Sequence, residues 1–315
     1  MRRADATAVV VTHNSERQIV AALTALRQAQ LPVRLVDNAS TDATVDLVRR
    51  RFPEVTVLVS TTNTGFATAV NRAAAGVDTD VVLLVNPDCV VAPNTVAELV
   101  RVIRSRPSVG IVGPRLVDAQ GRIAISAHRF ESLTTVLASR FGGALVPVGL
   151  RRMFSGRQRR AAYDACVSGT EPAAVDWLSG ACLAVRTDLF VAIGGLDECY
   201  FLYYEDEELC LQAGRRGAEV LYVPAVTAVH TGGASSSDPA WIWPHLYRSM
   251  LRFFARHRLG SLRAVRGAVL LRALIGIGLA GIRLPVQPRA GAARLRAWTR
   301  VGRIAITPRE TRGGA

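Results

Sequence analysis

Between residues 6 and 115 the chain alternates short β-branched runs with longer amphipathic stretches, and that alternation leaves few folds open to it. Residues 6–12 (Ala-Thr-Ala-Val-Val-Val-Thr) read as a buried strand. Ser15 caps an expected helix to about Gln28, with Ile19, Leu23 and Leu26 at helical spacing. Residues 33–37 are a second strand, and Thr41 or Asp42 caps the helix after it. Residues 55–59 are a third strand, 66–75 a third helix and 81–85 a fourth strand. Pro93 opens a fourth helix in its first turn. Strand–helix alternation with short links predicts an α/β fold, a mainly parallel sheet with helices on both faces.

The fourth strand runs straight into Asn86-Pro87-Asp88. Pro87 cannot continue a central strand, so the chain turns there and delivers Asp88 to the carboxyl edge of the sheet. In open α/β sheets ligands bind at that edge. A carboxylate fixed there can hold a divalent metal, and the metal can hold phosphates. Thr12-His13-Asn14 follows strand one, Asp37-Asn38-Ala39-Ser40 follows strand two, and Asn63-Thr64-Gly65 precedes helix three. In a parallel sheet all three clusters gather at the edge that carries Asp88. Each alone is ordinary capping; together they read as a nucleotide pocket. The dinucleotide fingerprint GxGxxG is absent from these turns, and a chain without Lys has no phosphate-loop GxxxxGK.

Beyond the fourth helix the pattern is less regular. Residues 110–113 and 122–126 read as short strands, and 130–165 as a mobile excursion with a basic run at Arg151, Arg152, Arg157, Arg159 and Arg160. Order returns at 175–185, and a short helix from Thr187 or Asp188 stops at Gly194-Gly195. Tyr200-Phe201-Leu202-Tyr203-Tyr204 then leads into Glu205-Asp206-Glu207-Glu208. Adjacent carboxylates raise one another's proton affinity, and a hydrophobic wall raises it further, which suits a general base. Residues 219–224 and 225–230 read as two short strands. His230 ends the second, before Thr231-Gly232-Gly233, where it is placed to complete a metal site with Asp88.

These segments together resemble inverting family-2 glycosyltransferases of the GT-A fold, and most of all their bacterial rhamnosyltransferase branch. The likeness rests on residues 11–14, 36–42, 63–67, 84–88, 177–181, 194–197, 204–206 and His230, in the expected order. It implies that Thr12, Asn14, Asn38 and Asn63 border the nucleotide, that Asp37 accepts a hydrogen bond from the pyrimidine ring, and that Gly65 lets the backbone approach it. It implies that Asp88 binds Mg²⁺ or Mn²⁺ with His230 as second protein ligand, and that Trp177, Ser179, Gly180 and Ala181 line the sugar and acceptor site. Asp206 is the implied base, with Glu205 beside it. Asn86 stands where the family's DXD pattern has its first acid, so that position brings no charge.

Charge separates the rest of the chain from this part. All 39 basic residues are Arg; 15 of them fall from Arg248 onward, against one acid, Glu310. A basic end implies a polyanionic neighbour. Residues 241–258 read as a helix, and 262–284 as a second whose longest uncharged run, 273–282, is too short to span a bilayer. Residues 241–286 are therefore expected to lie on an anionic membrane surface, 1–240 to be the catalytic domain, and 287–315 to be a disordered basic tail. Five scattered cysteines without a CxxC pair imply a reduced compartment. With Asp5 interrupting the start, no secretory signal is expected, and the location implied is cytoplasmic, on the inner face of the cell membrane.

The leading reading is transfer of L-rhamnose from dTDP-rhamnose to a lipid-linked or glycan acceptor of the cell envelope, without nucleic acid as a partner. A galactofuranosyl- or other hexosyltransferase using a UDP-sugar fits the same scaffold. A nucleotidyltransferase would carry a basic phosphate-grasping motif that residues 1–14 lack. A non-enzymatic basic membrane- or nucleic-acid-binding module explains the tail but not Asp88 and Asp206.

Overall fold

The computed structural model describes residues 5–130, 168–232, 238–257 and 261–307. They form two compact units: 5–130, 168–201 and 205–232 in one, and 202–204, 238–257 and 261–307 in the other.

In the first unit, strands β1 (Ala6–Thr12), β2 (Val33–Asp37), β3 (Thr56–Val59) and β4 (Val81–Val85) lie parallel in the order β3-β2-β1-β4. Helices α1 (Ile19–Gln28), α2 (Thr44–Arg51) and α3 (Phe66–Ala74) connect them. Next come β5 (Cys89–Val91), α4 (Pro93–Ser105), β6 (Val109–Val117), β7 (Ile123–Ala124), β8 (Ala127–His128), β9 (Ala173–Ala174), β10 (Trp177–Leu178) and β11 (Cys182–Arg186). Helices α5 (Thr187–Ile193) and α6 (Glu205–Arg215) and strand β12 (Glu219–His230) complete the unit. The sheet continues from β4 through β11, β6, β12 and β5, with β11 antiparallel to both neighbours and β12 parallel to β6. Strands β8 and β10 pair apart from it.

Alternate side chains of each central strand enter opposite cores, as pleating requires. Val81, Leu83 and Val85 of β4 join Leu23 and Leu26 of α1 and Leu99 of α4, while Val82 and Leu84 join Val70 of α3 and Leu209 of α6. Helices α1, α2 and α4 thus cover one face, and α3, α5 and α6 the other. Each fully buried Val or Leu contributes about 1.5–3 kcal/mol, which is why a run of five β-branched and Leu residues reads as a central strand.

Within this unit two expectations change, and the choice between Thr41 and Asp42 is decided. Helix α1 starts at Ile19, because Ser15 makes a turn instead: its carbonyl accepts from the amides of Gln18 and Ile19. Asp42, not Thr41, holds the start of α2, its Oδ1 accepting from the Thr44 amide at 3.1 Å. The two short strands expected over 219–230 are one strand, β12. It keeps its course past Pro224 because its register against β6 shifts between Val223 and Thr227, where a ladder donor is dispensable. The excursion expected over 130–165 lies, beyond Phe130, outside the described residues.

The second unit holds α7 (Pro239–His257), α8 (Leu262–Arg283) and α9 (Pro288–Ile306). The stretch expected to be a disordered tail is helical to Ile306. Its arginines obscure an apolar face of Ala297, Trp298, Val301, Ile304 and Ala305, which the structure buries. Trp298 is the hub. Its ring meets Trp243 and Tyr247 of α7, takes the Arg272 guanidinium at 4.3 Å, and lies so close to Gly276 that a Cβ there would overlap it. Pro244 inside α7 has no N–H for the Ala240 carbonyl, and Arg300 of α9 donates to that carbonyl at 3.3 Å. Among the described residues, α8 is the one helix long and apolar enough to cross a membrane by length and composition, against the expectation that this stretch is too short, which counted only its uncharged run.

Candidate active site

The carboxyl ends of β1 and β2 are in register, Thr12 opposite Asp37. Thr12 Oγ1 donates to Asp37 Oδ1 at 3.0 Å, and Ser40 closes back on the same carboxylate with its hydroxyl at 2.5 Å and its amide at 2.9 Å. The closure needs Ala39 at φ +63°, an uncommon state for a residue with a Cβ. Asp37 is almost fully buried, and among the described residues its Oδ2 accepts from the Ser40 amide. Asn14, at φ +53°, accepts from the Thr41 amide at 2.7 Å and so ties the turn after β1 to the turn after β2.

Asn38 plays a different part from the one expected. Its Nδ2 donates to Asn63 Oδ1 and to the Gly65 carbonyl, and its Oδ1 accepts from the amide and hydroxyl of Thr64. Both donors and both lone pairs are used, so Asn38 shapes the 63–65 turn and has no capacity left for a ligand. Gly65 also has another reason to be glycine. At φ +87° and ψ 169° it occupies a region open essentially to glycine alone, and a Cβ would sit 2.7 Å from the Phe201 carbonyl oxygen. The close approach is to the chain at Phe201, whose carbonyl accepts the Phe66 amide at 2.8 Å.

That contact belongs to a clamp that sequence reasoning missed. Asn71 of α3 accepts from the Leu196 amide and donates to the Leu196 carbonyl, both at 2.8 Å, and Asn71 and Thr68 both donate to Glu198. Gly195, at φ +80°, leaves room for the Asn71 side chain. The segment before α6 is thereby fastened to the helix that follows the 63–65 turn. Gly194-Gly195 was the signal in the sequence, but its partner on α3 was not legible.

Asn86-Pro87-Asp88-Cys89 is a β-turn closed by the Cys89 amide on the Asn86 carbonyl at 3.0 Å, with Asn and Pro at the positions such turns favour. The Asn86 amide donates to the Ala181 carbonyl at 3.0 Å. His230, the last residue of β12, is in register with Cys89, and its Nε2 lies 3.2 Å from Asp88 Oδ1. Adjacent ligands of an octahedral ion at about 2.1 Å stand about 3 Å apart, so this carboxylate–imidazole pair fits one divalent cation with the remaining positions left to phosphate and water. Among the described residues no set of three or more His, Cys, Asp or Glu converges on one point.

Trp177 stacks on His128 of β8 with centroids 4.1 Å apart, and the Ser179 amide donates to the Ser126 carbonyl at 2.8 Å. The Gly180 amide donates to Asp206 Oδ2 at 2.9 Å, and Asp206 Oδ1 accepts from the Glu207 amide. Burial raises the Asp206 carboxyl above its ordinary value, while those two amides act to lower it. Glu205 is buried, its Oε2 has no partner among the described residues, and burial with the Asp206 charge holds it well above the usual carboxylate range. Both carboxyls of the adjacent pair thus have raised proton affinity, Glu205 with no hydrogen-bond partner on Oε2 among the described residues and Asp206 held by two backbone amides. Tyr203 and Tyr204, at φ +68° and +72°, hold consecutive strained positions just before them. Glu208 is occupied elsewhere, by Tyr200 and Gln212.

Residues 7–161 match Glycosyl transferase family 2. Over 272 residues, 81% of this chain and 86% of the relative, the sequence is 31% identical to the N-acetylglucosaminyl-diphospho-decaprenol L-rhamnosyltransferase of Mycobacterium tuberculosis. The chain belongs to glycosyl transferase family 2. This glycosyltransferase is also 40% identical to rhamnosyltransferase WbbL of Escherichia coli over 92 residues, a match that spans 28% of this chain and 34% of WbbL. Its GT-A fold is shared with the mannosyltransferase PcManGT of Pyrobaculum calidifontis, solved with GDP-Man and Mn²⁺. The TM-score is 0.55 at 17% identity, over 95% of this chain and 86% of that one.

Proposed function

We propose that this glycosyltransferase moves L-rhamnose from dTDP-rhamnose to a lipid-linked acceptor, with inversion at the anomeric carbon. The observation that carries the chemistry is the Asp206 carboxylate, fixed by the Gly180 amide and raised in proton affinity by burial. The sugar and the lipid diphosphate acceptor are supported by the name of the relative that is 31% identical along most of its length.

In the step itself the acceptor hydroxyl oxygen bonds to the anomeric carbon as the bond from that carbon to the diphosphate oxygen breaks. The bonding electrons leave with the nucleoside diphosphate, and the hydroxyl proton passes to Asp206. A base so placed contributes about 10²–10⁴ in rate. Asp88 and His230 would hold Mg²⁺ or Mn²⁺, whose charge offsets that of the departing diphosphate. Asp37 takes the base ring, Asn14 and the 63–65 turn wall the nucleotide, and Trp177 with residues 179–181 faces the sugar and acceptor.

The test offers dTDP-rhamnose, UDP-galactofuranose and UDP-N-acetylglucosamine separately to the purified chain with a polyprenyl-diphospho-N-acetylglucosamine acceptor. Transfer from dTDP-rhamnose alone is the expected result. Transfer from a UDP-sugar with none from dTDP-rhamnose would overturn the sugar assignment.

A further inference from the structure

The helical unit carries an exposed apolar stripe. On α8, Ala264, Gly267, Leu271, Leu274, Gly278 and Ile282 recur at helical spacing and all are exposed, Ile282 by 74%. The stripe runs on into the turn before α9, where Val286 is 82% exposed. No charge interrupts it. On the helical wheel Arg263 borders one side and Arg283 the other. The opposite face of α8 (Val265, Val269, Ala273, Gly276 and Ala280) is buried, with Gly276 against Trp298 of α9. From residue 239 to residue 307 the sequence holds 13 Arg and no Asp or Glu.

An apolar stripe edged by guanidinium groups complements an anionic bilayer, acyl chains meeting the stripe and headgroup phosphates the arginines. Length and composition would also let α8 span the membrane. Its fixed partner opposes that, because α9 carries Arg289, Arg294, Arg296, Arg300 and Arg303 and would be drawn into hydrocarbon with it. We propose that α8 lies in the plane of an anionic membrane surface, stripe inward, and that this is where the enzyme meets the bilayer. The inference does not depend on the sugar assignment, because it reads lipid binding and not transfer.

The test is flotation of the full chain with vesicles of phosphatidylcholine alone and of equal parts phosphatidylcholine and phosphatidylglycerol. The expected result is binding to the mixed vesicles only, release by alkaline carbonate, and affinity weakened about tenfold or more by Leu271→Glu with Leu274→Glu and Ile282→Glu. Ile282→Glu alone, at the most exposed position of the stripe, should weaken binding in the same direction without altering the melting temperature. Unchanged binding by both variants overturns the proposal. So does resistance of the wild type to carbonate, which marks a spanning helix. A wild-type dimer that the variants convert to monomer, with no vesicle binding, also overturns it and assigns the stripe to a second copy.

Discussion

Gly180 donates its amide to Asp206 Oδ2 at 2.9 Å, and the carbonyl of the next residue, Ala181, accepts from the Asn86 amide. Two consecutive residues therefore tie Asp206, in the first turn of α6, to the turn that carries Asp88. Neither tie needs a particular side chain on residues 180 and 181, only an N–H on one and a carbonyl on the other. Asp206 and the turn that carries Asp88 are thereby held in one frame.

The buried pair at the start of α6 sets a pH dependence of stability. Glu205 is held well above its ordinary value of 4.5, so the folded protein keeps a proton that the unfolded chain releases. Stability from this site is therefore lost as pH rises above about 4.5. Glu205→Gln removes the loss: its melting temperature should exceed that of the wild type at neutral pH, and its decline with pH should be shallower. Melting curves across that range check this, and a wild-type slope in the variant contradicts it.

Activity should depend on the same pair. In the proposed role Asp206 must be deprotonated to act, and burial raises its proton affinity. The acidic limb of kcat/KM should fall at an apparent pKa above the ordinary carboxylate range, belonging to the pair. A pH–rate profile on dTDP-rhamnose reads it, and a flat profile across that range would contradict the role given to Asp206.

On the proposed function Asp88 and His230 would share the metal with an unequal division of labour. Asp88→Ala removes the charged ligand and should abolish the response to Mg²⁺ or Mn²⁺. His230→Ala leaves the carboxylate and should raise the metal concentration for half-maximal activity by about tenfold or more. Titration of EDTA-treated enzyme with each ion separates the two. Full wild-type activity in EDTA would remove both residues from the account.

Gly65 and Gly214 predict opposite outcomes for the same substitution. Gly65→Ala forces a strained backbone and a Cβ against Phe201, so it should cost about 1–3 kcal/mol from conformation alone and also slow transfer. Gly214 lies in α6 with nothing within 4 Å of a Cβ, so Gly214→Ala should leave stability unchanged or raise it by about 0.4–1 kcal/mol. Denaturant titration of both variants checks the pair.

What the sequence made legible is what local chemistry decides. Five buried apolar residues followed by Asn-Pro-Asp specify a strand, a turn and a carboxylate at the sheet edge, and all three stand where expected. The acidic first turn of α6 was equally plain. Side-chain partners far apart in the chain were not. Asn38 looked like a nucleotide contact, because nothing local reveals that Asn63, Thr64 and Gly65 use all its hydrogen-bonding capacity. Gly65 looked like room for a ligand, because Phe201 is remote in sequence. Helix α9 was hidden by its arginines, since its apolar face declares itself only against Trp243, Tyr247 and Gly276. The length of β12 was hidden by Pro224, which a register shift makes harmless.

The most direct test of the central claim is Asp206→Asn, assayed for rhamnosyl transfer from dTDP-rhamnose to polyprenyl-diphospho-N-acetylglucosamine alongside calorimetric binding of the donor. The amide keeps the acceptor for the Gly180 N–H but cannot take a proton. Turnover should fall by about 10²–10⁴ while donor affinity stays within a few-fold of wild type. Transfer at the wild-type rate would contradict the assignment of Asp206 as the base.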